Sequence, residues 1–170
     1  MNSEVVPITV ERMPHAFCGA AANRNKLIMM TIERQGDAFA VSRHASAEFV
    51  LDSDSQASLR RFRQEVEHFV RDGALNMIVL RGGQRTGTYA SGPDVVRMET
   101  ALELIPGLRV RRVHHNSLRA WRRYSRERLP KPDTSLPRAD ATLHWEAIVA
   151  ARLAYGIQVE GDKLVNGKIK

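Results

Sequence analysis

The sequence predicts a mixed α/β fold, in which helices cover a sheet of antiparallel and parallel strands. Three observations predict it. Short apolar segments joined by tight turns come first, longer segments with helical spacing follow, and the two kinds then alternate. The resulting order is three strands, then helix, strand, helix, strand and a final helix, with an extra basic helix before the last one. A chain of 170 residues, 43% of them hydrophobic, has the size of one domain and can fill one core.

The first three elements are predicted to be strands of an antiparallel meander. The apolar run 15–22 ends at Asn23, and the apolar run 26–33 follows it after a tight turn. Gly36 marks a second turn, and residues 39–50 form a third strand with an irregular middle. Links this short join antiparallel neighbours, so the three strands should pair in sequence order.

The next elements alternate between helix and strand. Residues 52–55 offer N-caps for a helix whose apolar residues recur at helical spacing until Gly73. The apolar run 75–80 is predicted to be a strand. A second helix starts at Pro93, a residue that suits the first helical position, and residues 108–114 form the next strand.

Two more helices are predicted in the last part of the chain. Residues 116–128 form a basic helix, which a linker with several prolines separates from the final helix. Asp140 is predicted to cap that final helix. Its small residues can lie close against a sheet; they are Ala147, Ala150, Ala151 and Ala154.

The predicted organisation is an N-terminal arm, one domain and a C-terminal tail. Residues 1–14 contain two prolines and no sustained period, which indicates a loose arm. The domain covers residues 15–156. The tail, residues 157–170, is predicted to form a weak hairpin that turns at Gly161 and Asp162.

Cysteine and histidine usage argues against disulfides and zinc. The only cysteine, Cys18, excludes a disulfide within the chain, and its apolar strand predicts a buried, unreactive thiol. The six histidines are scattered, and the adjacent His114 and His115 would point to opposite faces of a strand. No apolar run nears the ~20 residues of a membrane span, and the start lacks a secretory layout. We therefore expect a cytoplasmic protein without a cofactor.

Positive charge is concentrated in one segment. Residues 109–131 hold nine Lys/Arg and one acid, a net charge of +8, whereas the whole chain carries +7. Such a stripe on a near-neutral body is typical of a surface that faces phosphates, and it predicts nucleic-acid binding. A solvated helix face or a contact for an acidic protein would give the same pattern. The cations are Arg109, Arg111, Arg112, Arg119, Arg122, Arg123, Arg126, Arg128 and Lys131.

Two aromatic residues lie among these arginines. Trp121 and Tyr124 are three residues apart, on neighbouring turns of the predicted basic helix. Aromatic rings between arginines can stack on unpaired bases. Equally, both rings can pack the helix onto the sheet and leave the arginines outside. The sequence leaves these two interpretations open.

A glycine-rich connection follows the fourth predicted strand. Gly82 and Gly87 have the separation found in a nucleotide-binding P-loop, but Thr88 stands where that loop needs a lysine, so we exclude it. Backbone N–H groups of the connection, with Arg81 and Arg85, could still bind a phosphate. A loop that only turns tightly is the simpler interpretation.

The sequence resembles a known family in this connection and in the segments beside it. The matching segments are 81–92 (RGGQRTGTYASG), 97–101 (RMETA) and 104–110 (LIPGLRV), with weaker likeness at Trp145-Glu146-Ala147 and around Cys18-Gly19. They resemble the bacterial domain-of-unknown-function family 3010, within the ribonuclease-H-like superfamily. The resemblance covers about residues 15–156 and implies that superfamily's fold: three antiparallel strands, then alternating helices and strands, with helices packed on the sheet.

The resemblance also implies where a catalytic site would lie. In active members of the superfamily, carboxylates on the first strand, near the end of the fourth strand and on the last helix hold two divalent cations. Ala21 and Arg81 match the two strand positions, and neither offers an oxygen ligand. The residual candidates for a catalytic site are Glu99, Glu146 and Asp140. We therefore expect no metal and no catalytic residue; Glu99 is more simply explained as the partner of a nearby arginine.

Three functions remain open at this point. The first, which we favour, is a non-catalytic domain that binds nucleic acid through the basic helix, with Arg81 and Arg85 as additional phosphate contacts. The second is a protein-interaction or homodimerising module without enzymatic activity. The third is a metal-dependent nuclease that uses Glu99 and Glu146.

Overall fold

The computed structural model describes residues 16–83, 91–114, 128–161, 163–165 and 168–169. Within these residues a five-stranded sheet carries helices on both faces, so the predicted mixed α/β fold is confirmed. The strands are β1 (Phe17–Asn23), β2 (Lys26–Gln35), β3 (Ala38–Val50), β4 (Met77–Gly82) and β5 (Arg109–His114). The helices are α1 (Gln56–Asp72), α2 (Pro93–Glu103) and α3 (Arg138–Tyr155).

The strands of the sheet follow the order β3-β2-β1-β4-β5. β1 pairs antiparallel with β2, and β2 pairs antiparallel with β3, which confirms the predicted meander. The pairing of β2 with β3 shifts its register between Met30 and Ile32, and this irregularity corresponds to the irregular middle predicted for the third strand. β4 is parallel to both β1 and β5. Parallel neighbours need a crossover, which α1 supplies before β4 and α2 before β5.

One face of the sheet carries α1 and α2. Phe62 of α1, Met98 of α2 and Leu80 of β4 share one core cluster and are almost fully buried. Burial of a large apolar side chain contributes about 1.5–3 kcal/mol. α1 begins as predicted, because the Ser55 side chain accepts a hydrogen bond from the Ser58 N–H at 3.1 Å. The apolar residues that recur at helical spacing in the sequence therefore form the core on this face.

The other face carries α3, which lies unusually close to β1. A Cβ atom added to Gly19 would lie 2.0 Å from the carbonyl oxygen of Ala147 and 2.2 Å from the backbone nitrogen of Ala151. Ala147, Ala150, Ala151 and Ala154 are all fully buried, so the predicted small face of the final helix is confirmed. A glycine on the strand and alanines on the helix together permit this approach.

The start of α3 differs from the prediction. The helix begins at Arg138, with Pro137 in the cap position and no side-chain capping hydrogen bond. The predicted cap, Asp140, is therefore wrong. Asp140 lies inside the first turn, and its carboxylate accepts a hydrogen bond from Lys26 of β2 at 3.4 Å. The Asp140 carboxylate, which was predicted to cap the helix, therefore pairs with a lysine of the sheet instead.

The tail also differs from the prediction. A π-helical turn, Gly156–Glu160, continues directly from α3 and ends at Gly161, which has a left-handed φ of 74°. Two short strands follow, β6 (Leu164–Val165) and β7 (Lys168–Ile169), and they pair antiparallel. The hairpin therefore turns between β6 and β7, and the predicted turn at Gly161 and Asp162 is wrong.

Three predicted segments lie outside the described residues. They are the N-terminal arm, most of the glycine-rich connection (84–90) and nearly all of the predicted basic helix (116–127). The last residue predicted for that helix, Arg128, is described and forms a parallel bridge with Ala38 at the start of β3. At Arg128 the chain is therefore extended rather than helical.

Candidate functional site

The ends of two neighbouring strands bring Ala21 and Arg81 together. Ala21 of β1 lies opposite Arg81 of β4 in the parallel pairing. Met77 and Val79 of β4 belong to the core on the α3 side, and Arg81 continues that alternation toward α3. There its Nη2 atom lies 2.6 Å from Oε2 of Glu146 on α3. The two strand positions and the last helix that the sequence singled out therefore meet in one place.

The ion pair between Arg81 and Glu146 is largely shielded from water. The side chains are 16% and 26% exposed, respectively. The Nε atom of Arg81 is buried and has no hydrogen-bond partner among the described residues. A short charge-assisted contact in such surroundings is strong, and removal of one partner leaves the other charge uncompensated. The pair therefore fixes both side chains at this end of the sheet.

The residues at this end of the sheet do not fit a divalent cation. Ala21 presents a methyl group, and the guanidinium of Arg81 carries a positive charge that already engages the carboxylate of Glu146. Magnesium and calcium take about six to eight oxygen ligands, and a guanidinium offers none. In the part of the chain that is described, no three His, Cys, Asp or Glu side chains form a group that could hold a metal ion.

Glu99 lies on the other face of the sheet. Its side chain is 1% exposed, and Oε1 accepts a hydrogen bond from the Gly83 N–H at 2.8 Å. Oε2 forms an ion pair with Arg112 of β5, whose Nη1 also lies 3.0 Å from Oε1 of Glu103. The interpretation of Glu99 as the partner of a nearby arginine is confirmed. Its carboxylate ties the start of the glycine-rich connection to α2 and β5.

The three residual candidates for a catalytic site do not converge. Glu99 belongs to α2 and Glu146 to α3, so the sheet separates their carboxylates. Asp140 pairs instead with Lys26, whose Nζ also lies 3.3 Å from Glu48. Hydrogen bonding to Glu48, together with the charges of Glu48 and Asp140, raises the pKa of Lys26. Each of the three candidate carboxylates thus has a separate cation.

Two arginines of the predicted nucleic-acid-binding set are exposed on β5. Arg109 and Arg111 occupy alternate positions of that strand, so their side chains share one face. Neither forms an ion pair with a described residue. Arg112 points to the opposite face and is engaged by Glu99 and Glu103. β5 is the outermost strand on its side of the five-stranded sheet that the structure describes.

The other members of the predicted basic set lie elsewhere. Arg128 and Lys131 are exposed, and Arg128 adjoins Ala38 at the opposite edge of the sheet from β5. Arg109 and Arg128 therefore lie at opposite edges of the sheet. Outside the described residues lie Arg85, Arg119, Arg122, Arg123 and Arg126, together with Trp121 and Tyr124.

A cluster of cations and rings at the end of α3 was not predicted. Arg152 is 3% exposed, and its Nη2 lies 2.9 Å from Oε1 of Glu160 in the π-helical turn. The guanidinium lies 5.2 Å from the ring centroids of both Phe39 and Tyr155. The Tyr155 hydroxyl accepts a hydrogen bond from Arg34 at 2.6 Å. The one signal in the sequence was a lone arginine in an otherwise apolar helix segment.

Two further predictions concern a thiol and the membrane. Cys18 is fully buried, and burial raises the pKa of its thiol far above the ordinary value, as expected for an unreactive cysteine. His114 is exposed on β5, and its neighbour His115 lies outside the described residues. Among the described helices, none combines the length and the apolar character that a bilayer crossing requires.

The order of the sheet and its helices defines the class of protein: the fold is ribonuclease-H-like. The solved structures that share it include two of RuvC from Thermus thermophilus, each with a TM-score of 0.58 and 9% sequence identity. The structure of RuvC in complex with Holliday junction substrate matches over 85% of this chain and 96% of that chain. The second RuvC structure matches over 84% and 95%. At this identity the likeness shows the fold alone.

The family follows from the sequence. The family model described as "Protein of unknown function (DUF3010)" matches residues 16–156, and the chain belongs to that family. The resemblance inferred from the segments around the glycine-rich connection is thereby confirmed. Among curated proteins, none matches the sequence well enough to be a relative.

Proposed function

We propose that this chain is a nucleic-acid-binding domain that does not hydrolyse phosphodiester bonds. The observation that carries the proposal is the ion pair between Arg81 and Glu146, next to Ala21. It occupies the end of the sheet where the superfamily resemblance places metal-binding carboxylates. The coarser statement, a ribonuclease-H-like domain, is already given by the fold.

The chemistry of that ion pair supports the absence of hydrolysis. Two-metal hydrolysis needs several oxygen ligands that hold two cations about 3.5–4 Å apart. Here one strand position carries a methyl group and the other a cation, and the remaining carboxylate is bound to that cation. Of the other two candidate carboxylates, Asp140 on the same helix pairs with Lys26, and Glu99 lies across the sheet. The positive charge of Arg81 is, in contrast, compatible with an approaching phosphate.

The distribution of positive charge supports nucleic acid as the ligand. Arg109 and Arg111 present two cations, unpaired by any described residue, on one face of β5. Their side chains point to the α3 side of the sheet, as does Arg81, since Val113 of the same strand packs there. The basic segment continues from β5 through residues 115–127. One of the structures that share the fold over most of this chain is a complex of RuvC with Holliday junction substrate.

The proposal is tested by salt-dependent binding to labelled duplex, single-stranded and four-way-junction DNA and to RNA. One variant reverses the charge of Arg109 and Arg111 by substitution to Glu. A second variant reverses the charge of the predicted basic helix by substitution to Glu at Arg119, Arg122, Arg123 and Arg126. The matched control is Arg60→Glu/Arg71→Glu, which makes the same charge change as the first variant on the exposed side of α1.

The proposal gives definite outcomes. Each lost phosphate contact lowers the slope of log Kd against log salt by about 0.9 on duplex DNA. The slope of the Arg109/Arg111 variant should therefore be lower than that of the native chain by about 2. The control should bind like the native chain. The bound nucleic acid should stay intact with Mg²⁺ or Mn²⁺ present. Binding that is unchanged in both charge-reversal variants would refute the first half of the proposal, and metal-dependent cleavage that Glu146→Gln abolishes would refute the second.

A further inference from the structure

A groove between α1 and α2 lies on the face of the molecule away from Arg81 and Glu146. Its volume is about 440 Å³, and its lining consists mostly of apolar atoms. Leu59 of α1, Val96 of α2 and Leu104 at the end of α2 contribute to that lining. All the residues that line it belong to described segments, and none of them takes part in the proposed nucleic-acid surface.

Leu104 makes the groove unusual for a surface. Its side chain is 61% exposed, the largest value among the large hydrophobic residues that the structure describes. Leu59 and Val96 are each half-buried beside it. An exposed leucine alone needs no explanation, but an exposed leucine at the mouth of an apolar groove is the arrangement found where a partner's side chain is buried. The groove therefore has the shape and polarity of a recognition site.

The charged residues that line the groove all have the same sign. They are Arg60 and Arg63 of α1 and Arg97 of α2. Arg63 donates a hydrogen bond to the carbonyl oxygen of Leu104 at 3.2 Å, and Arg97 lies 3.1 Å from Asp94. Arg60 forms no ion pair with a described residue. The apolar groove is thus accompanied by cations that attract carboxylates.

We propose that the groove between α1 and α2 binds an acidic amphipathic segment of a protein partner. The segment would place one or two large apolar side chains against Leu59, Val96 and Leu104, and carboxylates against Arg60 and Arg97. This is the mode in which apolar anchors supply affinity and charge supplies orientation. The site is distinct from the proposed nucleic-acid surface and does not depend on it.

Two other occupants fit the groove less well. A second copy docked through the same face would bring like arginines together, because a twofold contact places each patch against itself. A nucleic acid would meet apolar aliphatic groups where it needs polar contacts and stacking rings, and no aromatic residue lines the groove. Charge and polarity together therefore favour the acidic segment.

The test is a selection from a random peptide library displayed on phage, with the full chain as bait. The full-length Leu104→Glu variant serves for counterselection, because Leu104 is largely exposed and its replacement should leave the fold intact. Thermal unfolding of the variant verifies this. Selected peptides are then synthesised, and their affinity is measured by fluorescence anisotropy for the native chain and its variants.

The proposal predicts a consensus with Leu, Ile, Met or Phe anchors and several Asp or Glu residues. Leu104→Glu and Arg60→Glu/Arg97→Glu should each weaken the binding of that peptide at least tenfold. Arg71→Glu, on the same helix but outside the groove, should bind within twofold of the native chain, and so should Arg109→Glu/Arg111→Glu. The Arg109→Glu/Arg111→Glu variant separates this proposal from the proposed function, because it should weaken nucleic-acid binding and leave peptide binding unchanged.

Four results would overturn the proposal. The first is the absence of any peptide enriched on the native chain over Leu104→Glu. The second is a consensus without acidic residues. The third is a dimer in analytical ultracentrifugation that Leu104→Glu dissociates, which would assign the groove to a second copy. The fourth is an oligonucleotide that binds in the groove. Its binding would then be weakened by Leu104→Glu and by Arg60→Glu/Arg97→Glu as strongly as the binding of a peptide is.

Discussion

Replacement of Glu99 by Ala removes a carboxylate that lies between three parts of the chain. Glu99 belongs to α2. Its Oε1 accepts a hydrogen bond from the Gly83 N–H at the end of β4, and its Oε2 pairs with Arg112 of β5. After the replacement, the Gly83 N–H has lost its partner. Arg112 keeps one carboxylate, Glu103, at 3.0 Å. The variant therefore tests whether Glu99 acts in the structure rather than in catalysis.

The expected loss of stability follows from burial. Breaking a buried ion pair by removing one partner costs about 3–5 kcal/mol. Glu99 is 1% exposed, but Arg112 is 26% exposed and retains Glu103, so we expect the lower end, about 3 kcal/mol. For a chain of this size that corresponds to a fall in Tm of roughly 6–12 °C. Glu99→Gln keeps an acceptor for Gly83 and should cost about 1–2 kcal/mol.

The assay is chemical denaturation followed by far-ultraviolet circular dichroism, with a chelator present so that no divalent cation contributes. The matched control is Glu103→Ala, since Glu103 pairs with the same arginine but its side chain is 37% exposed. A surface pair of that kind is worth about 0–1 kcal/mol. The reasoning fails if Glu99→Ala is as stable as the native chain, or if Glu103→Ala costs as much as Glu99→Ala.

Two further predictions concern β1. Gly19→Ala should destabilise the fold by roughly 3 kcal/mol or more, because the added methyl would meet backbone atoms of α3 at 2.0 and 2.2 Å; a native-like Tm would show that α3 can move away at little cost. Cys18 should not react with a thiol reagent at alkaline pH until the chain unfolds, because burial keeps its pKa high; rapid labelling of the folded chain would contradict this.

The sheet could be predicted because its signals are local. Short apolar runs separated by turns specified the meander, and the shift at Met30 and Ile32 appeared as an irregular third strand. The alanines of α3 predicted a close contact between this helix and the sheet, and Gly19 is the residue of β1 at which that contact occurs. The superfamily resemblance singled out Ala21 and Arg81 as strand positions, and the parallel register places them opposite each other.

The ion pairs could not be predicted in detail because they join residues far apart in sequence. Arg81 pairs with Glu146 and Lys26 with Asp140, and nothing local in the sequence selects one partner over another. The wrong cap has the same origin: Asp140 is of a residue type that suits a helix start, but the helix begins at Arg138 and the Asp140 carboxylate pairs with Lys26 of β2. The groove between α1 and α2 was not predicted from the sequence either, because its shape depends on how the two helices pack against each other.

The most direct test of the ion pair as a replacement for a metal site is a titration of the full chain with Mn²⁺ by heteronuclear NMR. A bound paramagnetic ion broadens the amide signals around it. If Arg81 holds Glu146 as the structure indicates, the amides of Ala21, Arg81 and Glu146 should broaden no more than those of other surface residues. Selective broadening of these amides at low Mn²⁺ concentration, reversed by Mg²⁺, would show that a divalent cation does bind there.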